Sequence, residues 1–169
     1  MNTVLVTGSN RGLGYEFVKQ YSEKGFDVFA CCRNINEAKS LKKLAEASSN
    51  IEICELDVGN IKTIKNLSHK LQDEKIDVLI NNAGIYRSST VGNINYDDWL
   101  ESFKINTIAP HQIIINFLDQ IKNSDLKKVI SITSKMGSID DNTSGGSYIY
   151  RTSKTALNSM MKSLTHDLK

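Results

Sequence analysis

Proline, cysteine and net charge are all scarce in this sequence, which has one proline, three cysteines and a formal net charge of +2. The small charge, with no basic run, argues against partners such as nucleic acid or a membrane surface. No window approaches the roughly 20 apolar residues that a membrane helix needs. The N-terminus shows no targeting segment, since a strand-like run begins directly after Met1 and Asn2. We therefore expect a cytoplasmic protein.

The cysteines and histidines do not suggest a metal site or a disulfide. Cys31 and Cys32 are adjacent, and on a strand they would point to opposite faces of the sheet. Cys54 and the three histidines also lack partners at metal-ligand spacing. We expect reduced, buried cysteines and no metal.

What the chain does contain is a regular alternation of β-rich runs and helical stretches. Strands are predicted at residues 3–7, 26–31, 51–56, 76–80 and 128–133. Helices are predicted after the first strand and at residues 37–47, 61–71, 97–121 and 148–169. This alternation predicts a three-layer α/β/α fold, a Rossmann-type doubly wound parallel sheet with strand order 3-2-1-4-5. With 40% hydrophobic residues and no repeat or linker, residues 1–169 are expected to form one domain.

Local signals give some of the helix boundaries. The first helix is predicted to place Leu13, Phe17 and Tyr21 on one face and to end at Gly25. Asn36 is the predicted N-cap of the second helix. A full dinucleotide domain has a sixth strand, and no segment for it follows the last helix, so we expect C-terminal truncation.

A glycine-rich segment, Thr7-Gly8-Ser9-Asn10-Arg11-Gly12-Leu13-Gly14, follows the first strand and opens the first helix. Glycines allow a sharp turn and close approach of the backbone to a pyrophosphate, and the helix N-terminus attracts the anion. Three glycines alone could also be a tight strand-to-helix turn. The strand before them and the helix after them favour a dinucleotide site.

The end of the second strand indicates which dinucleotide binds. NAD sites usually have an acidic residue there, whereas an arginine accommodates the 2′-phosphate of NADP. This chain has Arg33 and no acid before Glu37, and Arg11 lies in the glycine loop. The alternative is a solvated loop arginine. We favour NADP(H) over NAD(H).

The last helix carries a candidate proton donor. Tyr150 and Lys154 are four residues apart, which places both on one helix face. A nearby ammonium favours the phenolate form and so assists proton transfer. Ser134 follows the fifth strand, at the sheet edge where open α/β proteins bind ligands, and its hydroxyl could polarise a carbonyl. A surface pair and a turn serine are the alternatives.

The only proline predicts an irregularity in the long central helix. Pro110 has no N–H, so in an α-helix it leaves the carbonyl of Asn106 without its usual donor. That carbonyl could hold a water in a proton relay, or the kink could have no chemical role.

Together these residues resemble the short-chain dehydrogenase/reductase family over the whole chain. The family's glycine motif matches residues 7–14, and the implied cofactor contacts there are Gly8, Ser9, Asn10, Arg11, Gly12, Leu13 and Gly14. Further implied cofactor contacts after the second, third and fourth strands are Arg33, Asp57, Val58, Asn82, Ala83 and Gly84. The family's catalytic tetrad matches Asn106, Ser134, Tyr150 and Lys154.

The resemblance implies a role for each member of the tetrad. Tyr150 would exchange a proton with the carbonyl or alcohol oxygen, and Ser134 would hold that oxygen. Lys154 would assist Tyr150 and bind the nicotinamide ribose, which Tyr150 also contacts. The Asn106 main-chain carbonyl would anchor the relay water.

Residues 9–12, 32–34 and 145–154 are most similar to C-factor-like and sniffer-type carbonyl reductases. This implies an NADP-dependent oxidoreductase acting on a small carbonyl or alcohol. Family members often form homodimers through the helices that carry Asn106 and Tyr150. They also have a sixth strand, a substrate loop and a seventh strand that this sequence lacks. A non-catalytic nucleotide-binding regulatory protein and an inactive fragment therefore remain alternatives.

Overall fold

The computed structural model describes residues 2–168, so Lys169, the last residue of the final predicted helix, lies outside the described residues. The chain forms two compact units. The first, here called the sheet unit, comprises residues 1–83 and 112–131, and the second, the helical unit, comprises residues 84–111 and 132–169.

The sheet unit contains five parallel strands in the order β3-β2-β1-β4-β5. The strands are β1 Thr3–Thr7, β2 Asp27–Cys32, β3 Ile51–Glu55, β4 Val78–Asn81 and β5 Lys128–Ser131. The first and fourth strands are buried at every position, which explains why they read as continuous apolar runs in the sequence. The predicted fold and strand order are confirmed.

The last strand ends two residues earlier than the sequence indicated. The predicted strand continued to Thr133, whereas β5 ends at Ser131. The next carbonyl, that of Ile132, accepts a hydrogen bond from Lys154 Nζ at 2.8 Å. The Ile132 carbonyl is thus hydrogen-bonded to a side chain of the last helix, and the strand does not continue through this residue.

The sheet unit also contains four helices, α1 Gly12–Glu23, α2 Lys39–Glu46, α3 Ile61–Lys70 and α6 Leu118–Lys122. The predicted apolar face of α1, formed by Leu13, Phe17 and Tyr21, is not the buried one at its first residue. Leu13 is 63% exposed, while Gly14 and Val18 are buried. Gly25 follows the end of the helix with φ +78°, the left-handed geometry expected of a terminating glycine.

Asn36 is not the N-cap of the second helix. Asn34 Oδ1 accepts the Asn36 N–H at 3.0 Å and caps a short 3₁₀ turn, Ile35–Glu37. The Asn34 amide also donates to Glu37 at 2.6 Å. Because these local bonds compete with helix formation, α2 begins only at Lys39.

The long helix predicted at residues 97–121 is divided. It consists of α4 Tyr96–Phe103, a π-helical turn Lys104–Ile108, α5 Ala109–Asn116 and then α6. The irregularity therefore lies in the five residues before Ala109, and Pro110 is the second residue of α5. A π turn shifts the hydrogen-bond register, as the Ala109 N–H donating to the Lys104 carbonyl shows.

The helical unit ends with α7 Tyr148–Asp167. In the sheet unit, Cys31, Cys32 and Cys54 are free thiols and all are buried, as predicted. Burial raises the pKa of the Cys32 thiol and keeps it protonated. Within residues 2–168 there is no group of three metal-binding side chains, and no helix there is long and apolar enough to cross a membrane.

Candidate active site

The glycine loop between β1 and α1 needs glycine for two different reasons. Gly8 and Gly12 have φ angles of +68° and +58°, in the left-handed region that favours glycine. Gly14 has an ordinary backbone, but a Cβ there would collide with the Gly8 carbonyl and the Asn82 side-chain amide. The loop is therefore too tightly closed for a side chain at Gly8 or Gly14, whereas Gly12 is favoured by its backbone angle alone.

Side chains from β1 and from the end of β4 hold this loop in place. Asn82 Nδ2 donates to the carbonyls of Thr7 and Gly8 at 2.9 and 3.1 Å. Thr7 Oγ1 accepts the backbone N–H groups of Asn82 and Ala83, both at 3.0 Å. Ser9 is fully buried, and its hydroxyl donates to the Val6 carbonyl at 2.7 Å. Asn82, Ala83 and Ser9 thus have structural contacts in the loop as well as their predicted cofactor role.

The N-terminus of α1 is left open for an anion. Arg11 is the residue before the helix, and no side chain among the described residues caps the first turn. Asn10, Arg11, Gly12 and Leu13 are all exposed. The free N–H groups at the start of α1 can bind the pyrophosphate of a dinucleotide, and the small glycines of the loop leave room for it to approach the backbone.

The other predicted cofactor residues of the sheet unit follow β2 and β3. Because β1, β2 and β3 are parallel neighbours, their carboxyl ends share one edge of the sheet with the glycine loop. Arg33 is exposed directly after β2. Asp57 is half-buried beside Val58, and its Oδ1 accepts the Gly59 N–H at 2.9 Å. Gly84, in the helical unit, is exposed.

In the helical unit, Lys154 is fixed next to Tyr150. Lys154 is only 5% exposed, and its Nζ donates to the Ile132 carbonyl at 2.8 Å. The same nitrogen lies 5.9 Å from the centre of the Tyr150 ring. Burial lowers the pKa of Lys154, because a charged ammonium is less favourable away from water. The predicted pairing of these two side chains on one helix face is present.

Ser134 begins a short 3₁₀ turn, Lys135–Gly137, that packs on α7. Its Oγ accepts the Met136 N–H at 3.1 Å. Two residues earlier, the Ile132 carbonyl binds Lys154 Nζ. Three residues later, Gly137 lies so close to α7 that a Cβ would come within 3.0 Å of Lys154. Residues on both sides of Ser134 in the sequence therefore contact α7, and these contacts fix the position of Ser134 beside that helix.

Asn106 lies in the π turn and is completely buried. Its side chain accepts the Ile85 N–H and donates to the Ile85 carbonyl, each at 2.8 Å. It also donates to Ser153 Oγ at 3.0 Å, and Ser153 Oγ donates to the Tyr150 carbonyl at 2.8 Å. The Asn106 side chain thus connects the segment after Gly84 with α7. The relay role of its main-chain carbonyl stays a prediction.

The sequence interpretation missed two residues of this network. Ser153 is fully buried and joins Asn106 to the backbone of α7. The available signal was a small polar residue directly before Lys154. A residue of that size, when it is on the inner face of a helix, lets another segment approach the helix closely. Tyr86 contacts the Tyr150 ring, with ring centres 5.1 Å apart. No spacing rule connects two aromatic residues so far apart in sequence.

Comparison with known proteins shows which family the chain matches. The family model described as short chain dehydrogenase matches residues 2–169. A 1-hydroxy-2-glutathionyl-2-methyl-3-butene dehydrogenase from Rhodococcus sp. (strain AD45) is 34% identical over 170 residues, covering 99% of this chain and 72% of that protein.

Two solved carbonyl reductases are similar in structure. The carbonyl reductase Sniffer of D. melanogaster has a TM-score of 0.90 and 35% identity, covering 99% of this chain and 75% of that chain. The NADPH-bound carbonyl reductase from chicken fatty liver also has a TM-score of 0.90, with 34% identity, covering 99% of this chain and 71% of that chain. The chain spans 72% of the Rhodococcus protein and 66% of each of the next two curated relatives.

Proposed function

Because the chain belongs to the short-chain dehydrogenase family, we propose that the whole protein is an NADP(H)-dependent oxidoreductase that reduces small carbonyl compounds. The observation that carries this proposal is the fixed pair of Tyr150 and Lys154. A buried ammonium 5.9 Å from a phenol ring is a specific arrangement, since isolated buried lysines are rare. It has an evident use next to a tyrosine that exchanges protons.

The cofactor proposal rests on the fit of the glycine loop and on Arg33. The loop is too tightly closed for side chains at Gly8 and Gly14, and the uncapped start of α1 offers N–H groups to a pyrophosphate. Arg33 is exposed where an NAD site would have an acidic residue, which favours NADP(H). The chicken carbonyl reductase, by its description, binds NADPH.

Each residue of the tetrad has a role that agrees with its surroundings. When bound, the cofactor supplies the hydride that reduces the carbonyl carbon. Tyr150 donates the proton to the carbonyl oxygen, and the Ser134 hydroxyl binds the same oxygen and orients it. Lys154, held by Ile132, places its amino group beside the phenol, and in its protonated form it favours the phenolate.

Asn106 has a supporting part in this arrangement. Its side chain bonds Ser153, which in turn bonds the Tyr150 carbonyl, and so it fixes the position of the Tyr150 backbone. The main-chain carbonyl of Asn106 remains the proposed anchor for a relay water. Both functions come from one residue in the π turn, a type of helix irregularity that is frequent at functional sites.

The proposal is tested by following NADPH absorbance with the full-length protein and a panel of aldehydes, ketones and quinones. We expect turnover with at least one carbonyl and a loss of about 100-fold or more in Tyr150→Phe, which removes the proton donor. Tyr96→Phe, which removes the hydroxyl of an exposed tyrosine on α4, is the matched control and should keep full activity.

Two results would contradict the proposal. One is the absence of turnover for every carbonyl, and the other is a Tyr150→Phe variant as active as the wild type. If NADPH raises the melting temperature of the protein but no carbonyl is reduced, the non-catalytic nucleotide-binding alternative is supported instead.

A further inference from the structure

The segment that follows Gly84 is anchored at both of its ends. At one end, the Asn106 side chain bonds both backbone groups of Ile85. At the other end, buried Ser89 accepts the Ser147 N–H on its carbonyl at 2.9 Å and the Ile149 N–H on its hydroxyl at 3.1 Å. The backbone of residues 85–89 is therefore fixed relative to the first turn of α7.

Ser89 acts as the cap of α7 in place of the residue that precedes the helix. Ser147 is at the usual capping position but has φ +49°, and its side chain makes no capping bond. Ser89 Oγ instead accepts an N–H of the first turn, the bond that an N-cap side chain normally makes. The start of α7, and with it the position of Tyr150, thus depends on this distant segment.

Tyr86 projects from the anchored segment onto Tyr150. The two ring centres are 5.1 Å apart and the planes are inclined by 62°, an edge-to-face contact. The Tyr86 hydroxyl lies 3.1 Å from Ser147 Oγ, within hydrogen-bond distance. Tyr86 therefore directly follows the anchored backbone of Ile85, its hydroxyl is within reach of Ser147, and its ring lies against Tyr150.

A helical side chain leans toward the N-terminus and normally packs over the preceding turn. Tyr150 is the third residue of α7, so no helical turn precedes it. Tyr86 provides the contact that the missing turn would give. Since Tyr86 is still 54% exposed, this contact contributes little to the hydrophobic core, which makes a purely structural role a poor explanation.

We propose that Tyr86 is a positioning residue that holds the Tyr150 ring in the orientation needed for proton transfer. This inference rests on the proposed function, because it assigns Tyr86 its role through Tyr150. It concerns the rate of the chemical step rather than the binding of the cofactor or the carbonyl.

The test compares three variants of the full-length protein with NADPH and the best carbonyl of the panel. Tyr86→Leu removes the ring, Tyr86→Phe keeps the ring and removes only the hydroxyl, and Tyr96→Leu is the control. Tyr96 suits this purpose because it is exposed and its ring stacks on Trp99, 6.1 Å away, not on Tyr150.

We expect Tyr86→Leu to lower kcat by about two- to tenfold, the range that an aromatic edge-to-face contact provides. KM for the carbonyl should change less than twofold. Tyr86→Phe should restore most of kcat, and Tyr96→Leu should leave both constants unchanged. Melting temperatures of all three variants show whether each is folded, and Tyr86→Gln replaces Tyr86→Leu if the latter does not fold.

An unchanged kcat in Tyr86→Leu, with an active wild type, would overturn the inference and leave the proposed function intact. A raised KM with unchanged kcat would also overturn it, since Tyr86 would then contact the substrate rather than position Tyr150. A wild-type protein that reduces no carbonyl would be a failure of the proposed function itself.

Discussion

At the residue scale, Lys154 is a buried basic group fixed next to Tyr150, the residue that it is proposed to assist. Its ammonium is buried, and burial lowers the pKa of the group. The hydrogen bond to the Ile132 carbonyl partly compensates for lost water. Because the folded-state pKa lies below that of the unfolded chain, this lysine opposes folding at neutral pH. The penalty decreases as pH rises above the folded-state pKa, and it is gone only above the pKa of the unfolded chain. Such a penalty is typical of a residue retained for function.

We predict that Arg33 gives the protein its proposed preference for NADP(H), and this preference can be measured. We expect Arg33→Ser to weaken NADPH binding about 10- to 100-fold, since a hydrogen bond to a charged group contributes about 1.5–3 kcal/mol. NADH lacks the 2′-phosphate, so its dissociation constant should change little. Titration of both cofactors by their fluorescence gives the two constants.

The control for this prediction is Lys43→Ser, which removes an exposed positive charge from α2. It should leave both constants unchanged. Equal weakening of NADPH and NADH in Arg33→Ser would show that the arginine contacts a part common to both cofactors, and would refute the assignment of the 2′-phosphate to this residue.

At the scale of the structural elements, the carboxylate of Asp77 connects β1, β4 and the segment before β5 in the sheet unit. Asp77 lies directly before β4 and accepts the Thr3 N–H of β1 at 2.9 Å. It also accepts the N–H groups of Asp125 and Leu126, just before β5, both at 3.1 Å. Burial by itself would raise the pKa of Asp77, but the three backbone N–H groups stabilise the charge and hold the pKa below its usual value.

We expect Asp77→Asn to lower the free energy of unfolding by about 1–3 kcal/mol at pH 7, because a neutral amide has one acceptor oxygen for three donors. A group with a depressed folded-state pKa stabilises the protein above its unfolded value, about pH 4, and this contribution is lost as pH falls further. The difference between variant and wild type should therefore decrease below pH 4 in urea titrations.

Exposed Asp73 provides the control. Asp73→Asn should have the same free energy of unfolding as the wild type, both at pH 7 and below pH 4. An Asp77→Asn variant that is as stable as the wild type at pH 7 would be incompatible with the proposed role of the carboxylate in joining these elements.

The elements differ in how well the sequence predicts them. Strands β1 and β4 were predictable because parallel strands that are buried at every position are continuous apolar runs. The start of α2 was not, since Asn34 and Asn36 are both good capping residues and the choice between them depends on the local bonds of Asn34. The π turn was not predictable either. Pro110 signals a disturbed helix, but the position of the disturbance is set by contacts such as the bond from Thr107 Oγ1 to the Ser153 carbonyl.

The same limit applies to the candidate site. Motifs local in sequence, such as the glycine loop and the Tyr150–Lys154 pair, could be found because their function follows from spacing. The contacts of Ser89 and Tyr86 with the start of α7 join residues about 60 apart in the sequence, and nothing in a single sequence pairs them.

For the whole molecule, the two units carry different chemistry. The sheet unit holds the glycine loop, Arg33 and Asp57, whereas the helical unit holds the tetrad. A family model matches across both units, and the similar solved structures are carbonyl reductases. Since the chain spans about two thirds to three quarters of these relatives, the substrate has to be sought with the full-length protein.

In the proposed reaction, hydride passes from NADPH to a carbonyl carbon while Tyr150 supplies the proton. The most direct measurement uses NADPH in which both hydrogens of the reactive nicotinamide carbon are replaced by deuterium, with mass spectrometry of the alcohol product. We predict one deuterium on the carbinol carbon with the wild-type protein and almost no labelled alcohol with Tyr150→Phe. Alcohol formed without deuterium, or equally labelled by both proteins, would contradict the account.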